Sequence, residues 1–589
     1  MTATLEAPAR PSAPAEPPGD GGANSDPPAE QFPVPASLQP WRDPNPRLGW
    51  LITVVITGIA ALTRFWALGF PSGKTFDEVY YATEAQELLR FGYEDNRAYM
   101  FIVHPPLGKW LIGLTSLFWG NTPIGWRVAP AVFGTLAVLV LTRTVRRMLR
   151  SNLFGAIAGL LLALDGVSVV LSRTALLDIF LQFFVLAGFA ALVVDRDRMR
   201  ARLAGLIADG ADLTNGVPTL GPRPWRLLAG VLFGAACATK WTALSFFVLF
   251  ALLSLVWDRG AFKAAGVQRP TRRTFRLSAL PGIGSLIAAP LATYLLCYLG
   301  WFLGENSWGR HWTDTHSAST RLNILGVHVP FTWAWVPSPI RSLGSYTLQA
   351  YRFHETLYSG HPYRSSPWSW LVLGRPVDFY YNGDSTTCGA STCSREILLI
   401  GTPLMWWAFV PMLLWLAWHW ITTRDWRAGT VWVAFAAGWL VWFQDLRRTM
   451  FLFYTAPLVP FLIIGLTLSL GVLLGPSVPA AAAVPASSAD DIDVGTGPER
   501  GGLYRRGRAW LGNGLRDGLG DGLGDGLGDG HSVDPARRRA VRRRRWGAGL
   551  LSIYLGLVIA DFLYMWPLFT GGLLTYDQWH AHMWLPSWV

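Results

Sequence analysis

The feature that most constrains this chain is a recurrence of apolar runs long enough to cross a lipid bilayer. A spanning helix needs about 20 predominantly apolar residues. The sequence offers about eleven candidates, at 49–69, 124–143, 153–171, 174–194, 226–241, 242–257, 281–303, 397–420, 429–443, 449–473 and 547–568. Charged residues make up only 15% of the chain, against roughly 25% in a soluble domain. Trp occurs 31 times, and Trp gathers at membrane interfaces. The expected fold is therefore an all-α polytopic membrane protein, with lipid as its main solvent.

Arg and Lys cluster between the runs, and cytoplasmic loops carry that excess. With the N-terminus inside, loops 144–152, 195–225 and 258–280, the turn with Arg424 and Arg427, and the linker 474–546 all face the cytoplasm, and all are basic. The net charge of +12 is then a topology signal and does not point to nucleic acid. An odd number of spans puts the C-terminus outside. Residues 1–48, rich in Pro, Ala and acidic residues, read as a disordered cytoplasmic tail with no signal-peptide core. Linker 474–546, with its tandem Asp-Gly-Leu-Gly repeat at 517–530, reads as a flexible tether. Residues 49–473 form the expected catalytic module, and 547–589 the last span and an external C-terminus.

Two long loops remain outside, 70–123 and 304–396, both dense in Trp, Tyr, His and Pro. Long loops of that kind are usually folded and functional. The first carries Thr75-Phe76-Asp77-Glu78 just after an apolar span. One of these carboxylates can act as general base, since burial and a like-charged neighbour raise its pKa. The pair also fits the first turn of a helix over 78–91, where acidic residues are favoured. His104-Pro105-Pro106-Leu107-Gly108-Lys109 follows, with Lys109 able to snorkel to an interface. Arg127, Arg173, Asp165, Asp178, Lys240, Arg447 and Arg448 approach the same outer face from the span ends. Ionisable groups there are costly and often functional, and the cations suit a lipid phosphate; headgroup contact or Arg–Asp pairing is the alternative. His311, His354 and His361 are scattered and fit structural roles. No metal-ligand spacing and no phosphate-binding Gly-rich loop appears; no metal ligand is assigned, and a divalent-metal requirement stays open. Cys237 and Cys297 lie in apolar runs, whereas Cys388 and Cys393 share a polar loop, where pairing would need an oxidising compartment.

An enzyme at the outer face has no ready access to cytoplasmic nucleotide sugars. A polyprenyl phosphate solves this by keeping its tail in the bilayer and presenting its sugar outside. The ordered motifs Phe76-Asp77-Glu78, His104 to Lys109, Gly125-Trp126-Arg127, Ser172-Arg173 with Leu177-Asp178, Thr239-Lys240-Trp241, His361-Pro362-Tyr363, Pro367-Trp368-Ser369-Trp370 and Arg375-Pro376-Val377 resemble the bacterial protein O-mannosyltransferases. That family belongs to the GT-C class of polyprenyl-phosphate-dependent glycosyltransferases. The resemblance runs over most of 49–473 and extends to the last span.

The resemblance implies polyprenyl-phosphate-mannose as donor and Ser or Thr hydroxyls of secreted or membrane proteins as acceptors. It implies inversion by direct displacement, an extracytoplasmic active site in the cell membrane, and contact with membrane lipids and the protein translocation machinery. Asp77 is the implied base and Glu78 its positioning neighbour. Arg127, Asp178 and Lys240 carry over as implied donor-phosphate and substrate contacts, and Arg173, His361, Arg447 and Arg448 are expected beside them from their place at the outer face. Two departures touch the site: Gly401-Thr402-Pro403 stands where the family often has Gly-Asn-Pro, and Tyr454-Thr455 where a Tyr–His pair is common. Loop 304–396 is too short for the β-trefoil that eukaryotic relatives carry. An arabinosyl- or aminoarabinose-type transferase of the same class is the alternative, and a lipid or solute transporter a more distant one.

Overall fold

The computed structural model describes residues 33–41, 43–98, 100–324, 327–358, 360–383, 387–474 and 535–589, and of residues 320–331 and 535–538 only the backbone. The expected tail over 1–32 and most of the linker lie outside the described residues. Each of the eleven apolar runs overlaps at least one helix. In chain order we label α1 Pro46–Phe65, α2 Glu78–Phe91, α3 Leu107–Trp119, α4 Pro123–Leu149, α5 Asn152–Ala163, α6 Gly166–Ser172, α7 Asp178–Ala208, α8 Pro224–Cys237 and α9 Ala243–Ala264. There follow α10 Pro270–Cys297, then α11 Ser338–Glu355, α12 Pro403–Thr423, α13 Trp426–Trp439, α14 Val459–Leu473, α15 Pro535–Thr570 and α16 Tyr576–Ala581.

Among the described residues seven helices are long and apolar enough to span a membrane, or up to eight if the bent pair α5–α6 is one span; α8 and α14 are apolar but shorter. The departures from the expected segments have local causes. The run 153–171 breaks by 61° between α5 and α6, because Asp165 stops α5 and caps α6, accepting from the Ser168 amide at 2.7 Å. The run 449–473 begins as a 3-10 turn, Leu452–Thr455; Pro457 and Pro460 delay the α-helix. The run 174–194 becomes the 31-residue α7, since its polar extension buries Met199, Leu203 and Ile207 in a small separate core.

That small core corrects one expectation. Leu38, placed by composition in a loose tail, is fully buried against those residues and Phe262. Asp43 pairs with Arg146, and the Arg200 guanidinium donates to the Ser37 carbonyl at 2.9 Å. Residues 33–41 and Asp43 thus strap the basic loops together on one side. The tether is likewise shorter than expected, as helix α15 begins at Pro535.

The two long loops meet on the opposite side. Asp95 bridges to Ser307, and the Trp308 amide donates to the Glu94 carbonyl at 2.7 Å. The second loop holds an antiparallel hairpin, β1 Ser319–Ile324 with β2 Val327–Thr332, registered Ser319 to Thr332. It also contributes β3 Val377–Asn382 and β4 Cys393–Leu399 to a second sheet, whose third strand β5, Leu574–Thr575, comes from the C-terminus. Arg375 then holds the carbonyls of Ser587 and Val589. The C-terminus therefore lies on the side of both large loops. Cys388 and Cys393 form a disulfide there.

Between helices, lipid offers no hydrophobic drive, and close backbone approach supplies the attraction instead. On α8, Gly230 and Gly234 face α10. A Cβ would come within 1.8 Å of the Ser285 carbonyl oxygen at the first and 2.5 Å of the Pro290 oxygen at the second.

Candidate active site

Asp77 occupies the N-cap position of α2, yet its carboxylate makes no capping hydrogen bond, and no side-chain hydrogen bond or ion pair to it occurs among the described residues. The residue before it, Phe76, sits at φ +46°, a region that costs a non-glycine residue of order 1–3 kcal/mol. An aromatic cluster holds it there: Phe76 stacks on Phe379 at 4.8 Å and meets Phe453, Phe451 and His361 edge-on at 5.7, 5.8 and 5.9 Å.

Glu78 follows Asp77 but turns the other way, into the protein. It is fully buried and paired with Arg127, Nε to Oε1 at 2.8 Å and Nη2 to Oε2 at 2.7 Å. It also accepts from the Thr75 amide and hydroxyl and from the Ala175 amide. The remaining Arg127 hydrogens reach the carbonyls of Leu68, Pro71 and Gly73. This pair clasps the Asp77 turn to α4 and to the approach to α7.

Asp77 is half-buried, surrounded by protein on most sides. Burial pushes its carboxyl up to about 6, with nearby Lys240 pulling down and Asp178 pushing up. Lys240 and Asp178 form a buried ion pair at 2.7 Å. Both line a cavity of about 270 Å³, together with His104, Leu181, Trp241, Tyr351, His354, Glu355, Val441, Trp442, Asp445, Arg448 and Tyr454 among others. Trp442 and Tyr454 stack at 4.4 Å, with the Arg448 guanidinium 5.5 and 5.7 Å from their ring centres. Lys240 lies 5.6 Å from the Tyr454 ring.

The motif at 104–109 puts His104 on the cavity wall. The Leu107 amide donates to the Ala238 carbonyl at 3.1 Å. Gly108 packs so closely on Leu177 that a Cβ would fall 2.6 Å from its Cδ2. Desolvation, helped by Lys240, drives the His104 imidazole well below the usual histidine range, so it is neutral. Lys109 does not snorkel. It is fully buried, paired with Glu84 at 3.0 Å and Glu94 at 2.8 Å, and Tyr346 donates to Glu94 at 2.6 Å. The two carboxylates outweigh desolvation and hold Lys109 above the ordinary lysine range.

Of the residues singled out in the sequence, the cavity gathers Asp178, Lys240 and Arg448, with Asp77 in electrostatic reach of the first two. The others lie elsewhere. Arg173 closes the end of α1 through the carbonyls of Thr63, Arg64 and Trp66. Arg447 is exposed beside Asp445, and His361 buttresses Phe76. Asp165 accepts from the Trp406 indole at 2.7 Å inside the bundle. The cavity residues Tyr351 and Trp442 carried no sequence signal beyond their aromatic character, Tyr454 was marked only by the Tyr454-Thr455 departure, and His354 read as structural. Among the described residues no three His, Cys, Asp or Glu side chains converge as a metal would require.

The family model described as dolichyl-phosphate-mannose-protein mannosyltransferase matches residues 122–302. The C-terminal four TMM region of protein-O-mannosyltransferase matches 341–470. The chain is 38% identical over 552 residues to the polyprenol-phosphate-mannose–protein mannosyltransferase of Mycolicibacterium smegmatis strain MKD8, covering 92% of this chain and 93% of that one. To its Mycobacterium tuberculosis H37Rv namesake the identity is 37% over 567 residues, covering 94% and 95%. In fold, it matches the S. cerevisiae protein O-mannosyltransferase Pmt1-Pmt2 complex bound to the sugar donor, with a TM-score of 0.63, 92% of each chain covered and 14% identity.

Proposed function

Because the chain belongs to the polyprenol-phosphate-mannose–protein mannosyltransferase family, we propose that it moves mannose from polyprenyl-phosphate-mannose to Ser or Thr hydroxyls of proteins at the outer membrane face, through the cavity beside Asp77. It is a membrane glycosyltransferase, and its acceptors are secreted or membrane proteins delivered by the translocation machinery. In this reading the strapped basic loops face the cytoplasm and both long loops face outside, as the charge bias of the loops favours. The Cys388–Cys393 disulfide supports that orientation, because such bonds persist in oxidising compartments.

The observation that carries the chemistry is the juxtaposition of a carboxylate free of side-chain hydrogen bonds with a cavity that presents Lys240 and Arg448. Asp77, with its pKa lifted to about 6, remains mostly ionised at neutral pH and is a better proton acceptor than an ordinary aspartate. It takes the proton from the acceptor hydroxyl. The hydroxyl oxygen bonds to the anomeric carbon from the face opposite the phosphate, and the carbon–oxygen bond to phosphate breaks. Polyprenyl phosphate departs with the bonding electrons, which is inversion in one displacement. Lys240 and Arg448 stabilise the charge developing on that phosphate, Asp178 orients Lys240, and the Trp442–Tyr454 pair gives a flat apolar wall. Glu78 and Arg127 act by fixing the turn.

The test is transfer in vitro from radiolabelled mannosyl-phosphoryl-polyprenol to a Ser/Thr peptide, beside arabinosyl- and aminoarabinosyl-lipid donors. Mannose transfer by the wild type, with no turnover of the other donors, is the expected result. Turnover of a different sugar lipid alone would overturn the substrate reading.

A further inference from the structure

Arg448 is held by a partner that the reaction as set out above does not use. His354, in the last turn of α11, contributes to it twice: its carbonyl accepts from Arg448 Nε at 2.9 Å, and its ring Nδ1 lies 3.2 Å from Arg448 Nη2. The other ring nitrogen, Nε2, lies 2.7 Å from the Val103 carbonyl oxygen. A carbonyl only accepts, so Nε2 carries the hydrogen, and Nδ1 of the neutral ring is left with a lone pair aimed at the guanidinium. The imidazole thus joins three separate pieces of chain: the first long loop at Val103, the second through α11, and the arginine ahead of the tenth apolar run. Ring contacts reinforce the junction, with His104 at 4.8 Å from His354 and Phe101 at 5.3 Å from Phe353.

We propose that His354 is a positioning residue for donor binding: as the Nε2–H tautomer, it locks Arg448 toward the donor phosphate and ties that grip to the packing of the two outer loops. This rests on the reading of Arg448 as a donor-phosphate contact. A protonated ring would turn a second N–H on the guanidinium, so only the neutral form fits. Burial supports it by lowering the imidazole pKa to about 4, with the Val103 carbonyl opposing and the Arg448 and Lys240 charges adding to the fall.

The test compares donor KM and kcat for the full-length enzyme with His354→Leu, His354→Asn, Arg448→Ala and the Leu/Ala double variant, using mannosyl-phosphoryl-polyprenol and a Ser/Thr peptide. An asparagine amide oxygen can stand where Nδ1 stands; leucine offers no acceptor. Losing one hydrogen bond to a charged group should raise the donor KM of His354→Leu about tenfold, with the peptide KM unchanged. His354→Asn should recover most of that, and His354→Leu should add nothing to Arg448→Ala. Should the leucine variant fail to fold, His354→Ala, which likewise offers no acceptor, takes its place in the same comparison with Arg448→Ala. The proposal is overturned if Leu and Asn are equally impaired, or if the Leu and Ala effects simply multiply. If Arg448→Ala leaves donor KM unchanged, the donor-phosphate reading of Arg448 fails as well.

Discussion

At the scale of single residues, the site separates two adjacent carboxylates by environment. Glu78 is saturated with donors and serves as a clasp, whereas Asp77 is left free and poorly hydrated. In the proposed reaction the ionised form of Asp77 is the working form, so transfer should fall as pH drops through about 6 and level off above it. Asp77→Asn should cut kcat about 10²–10⁴-fold, the range for a general base, and erase that inflection. The stability effect has the opposite sign. An unfolded aspartate ionises near 3.8 and this one near 6, so the folded state loses stability as pH climbs between those values. Asp77→Asn should therefore melt higher than wild type at neutral pH, the two converging below pH 4. Arg127→Met leaves Glu78 buried without its charge partner and should destabilise by about 3–5 kcal/mol, partly recovered by adding Glu78→Gln; thermal melting in detergent reads both. Residue types and motif order singled out Asp77, Asp178 and Lys240 in the sequence, but not the pairing of the last two. The separate duties of Glu78 and Arg127 were not legible either, because spacing along the chain does not show which way a buried side chain turns.

At the scale of elements, apolar length located the seven helices that are long and apolar enough to span a membrane among the described residues, since that signal is the sum of many residues. The bends escaped it. Asp165 and Pro457 break runs whose mean apolarity barely changes, and the decisive contacts come from remote chain, such as the Trp406 indole on Asp165. The long polar extension of α7 was hidden for a similar reason: its partner surface is built partly by Leu38, far away in sequence. Packing of α8 on α10 depends on two glycines four residues apart, a spacing that permits close backbone approach. Gly234→Val would push its side chain into the Pro290 backbone. It should lower the melting temperature by several degrees, as expected for overpacking of about 1–3 kcal/mol, whereas Gly58→Val, on open surface of α1, should not.

At the scale of the whole molecule, the bundle holds two unlike faces apart. One is basic and strapped by residues 33–41 and Asp43; the other carries both long loops, the disulfide, the C-terminal strand and the cavity. The charge bias of the loops made this polarity readable from sequence, but the β5 pairing that seats the C-terminus on the second loop was beyond a pattern of two residues. The account depends on Asp77 lying at the outward face beside the site that takes the lipid donor. A single cysteine at that position tests this most directly, in a background with Cys237 and Cys297 changed to serine and the disulfide intact. An impermeant maleimide added to intact cells should label Asp77→Cys, and mannosyl-phosphoryl-polyprenol should slow the labelling in isolated membranes. Labelling seen only after the cytoplasmic side is opened, or a rate indifferent to the donor lipid, would contradict the account.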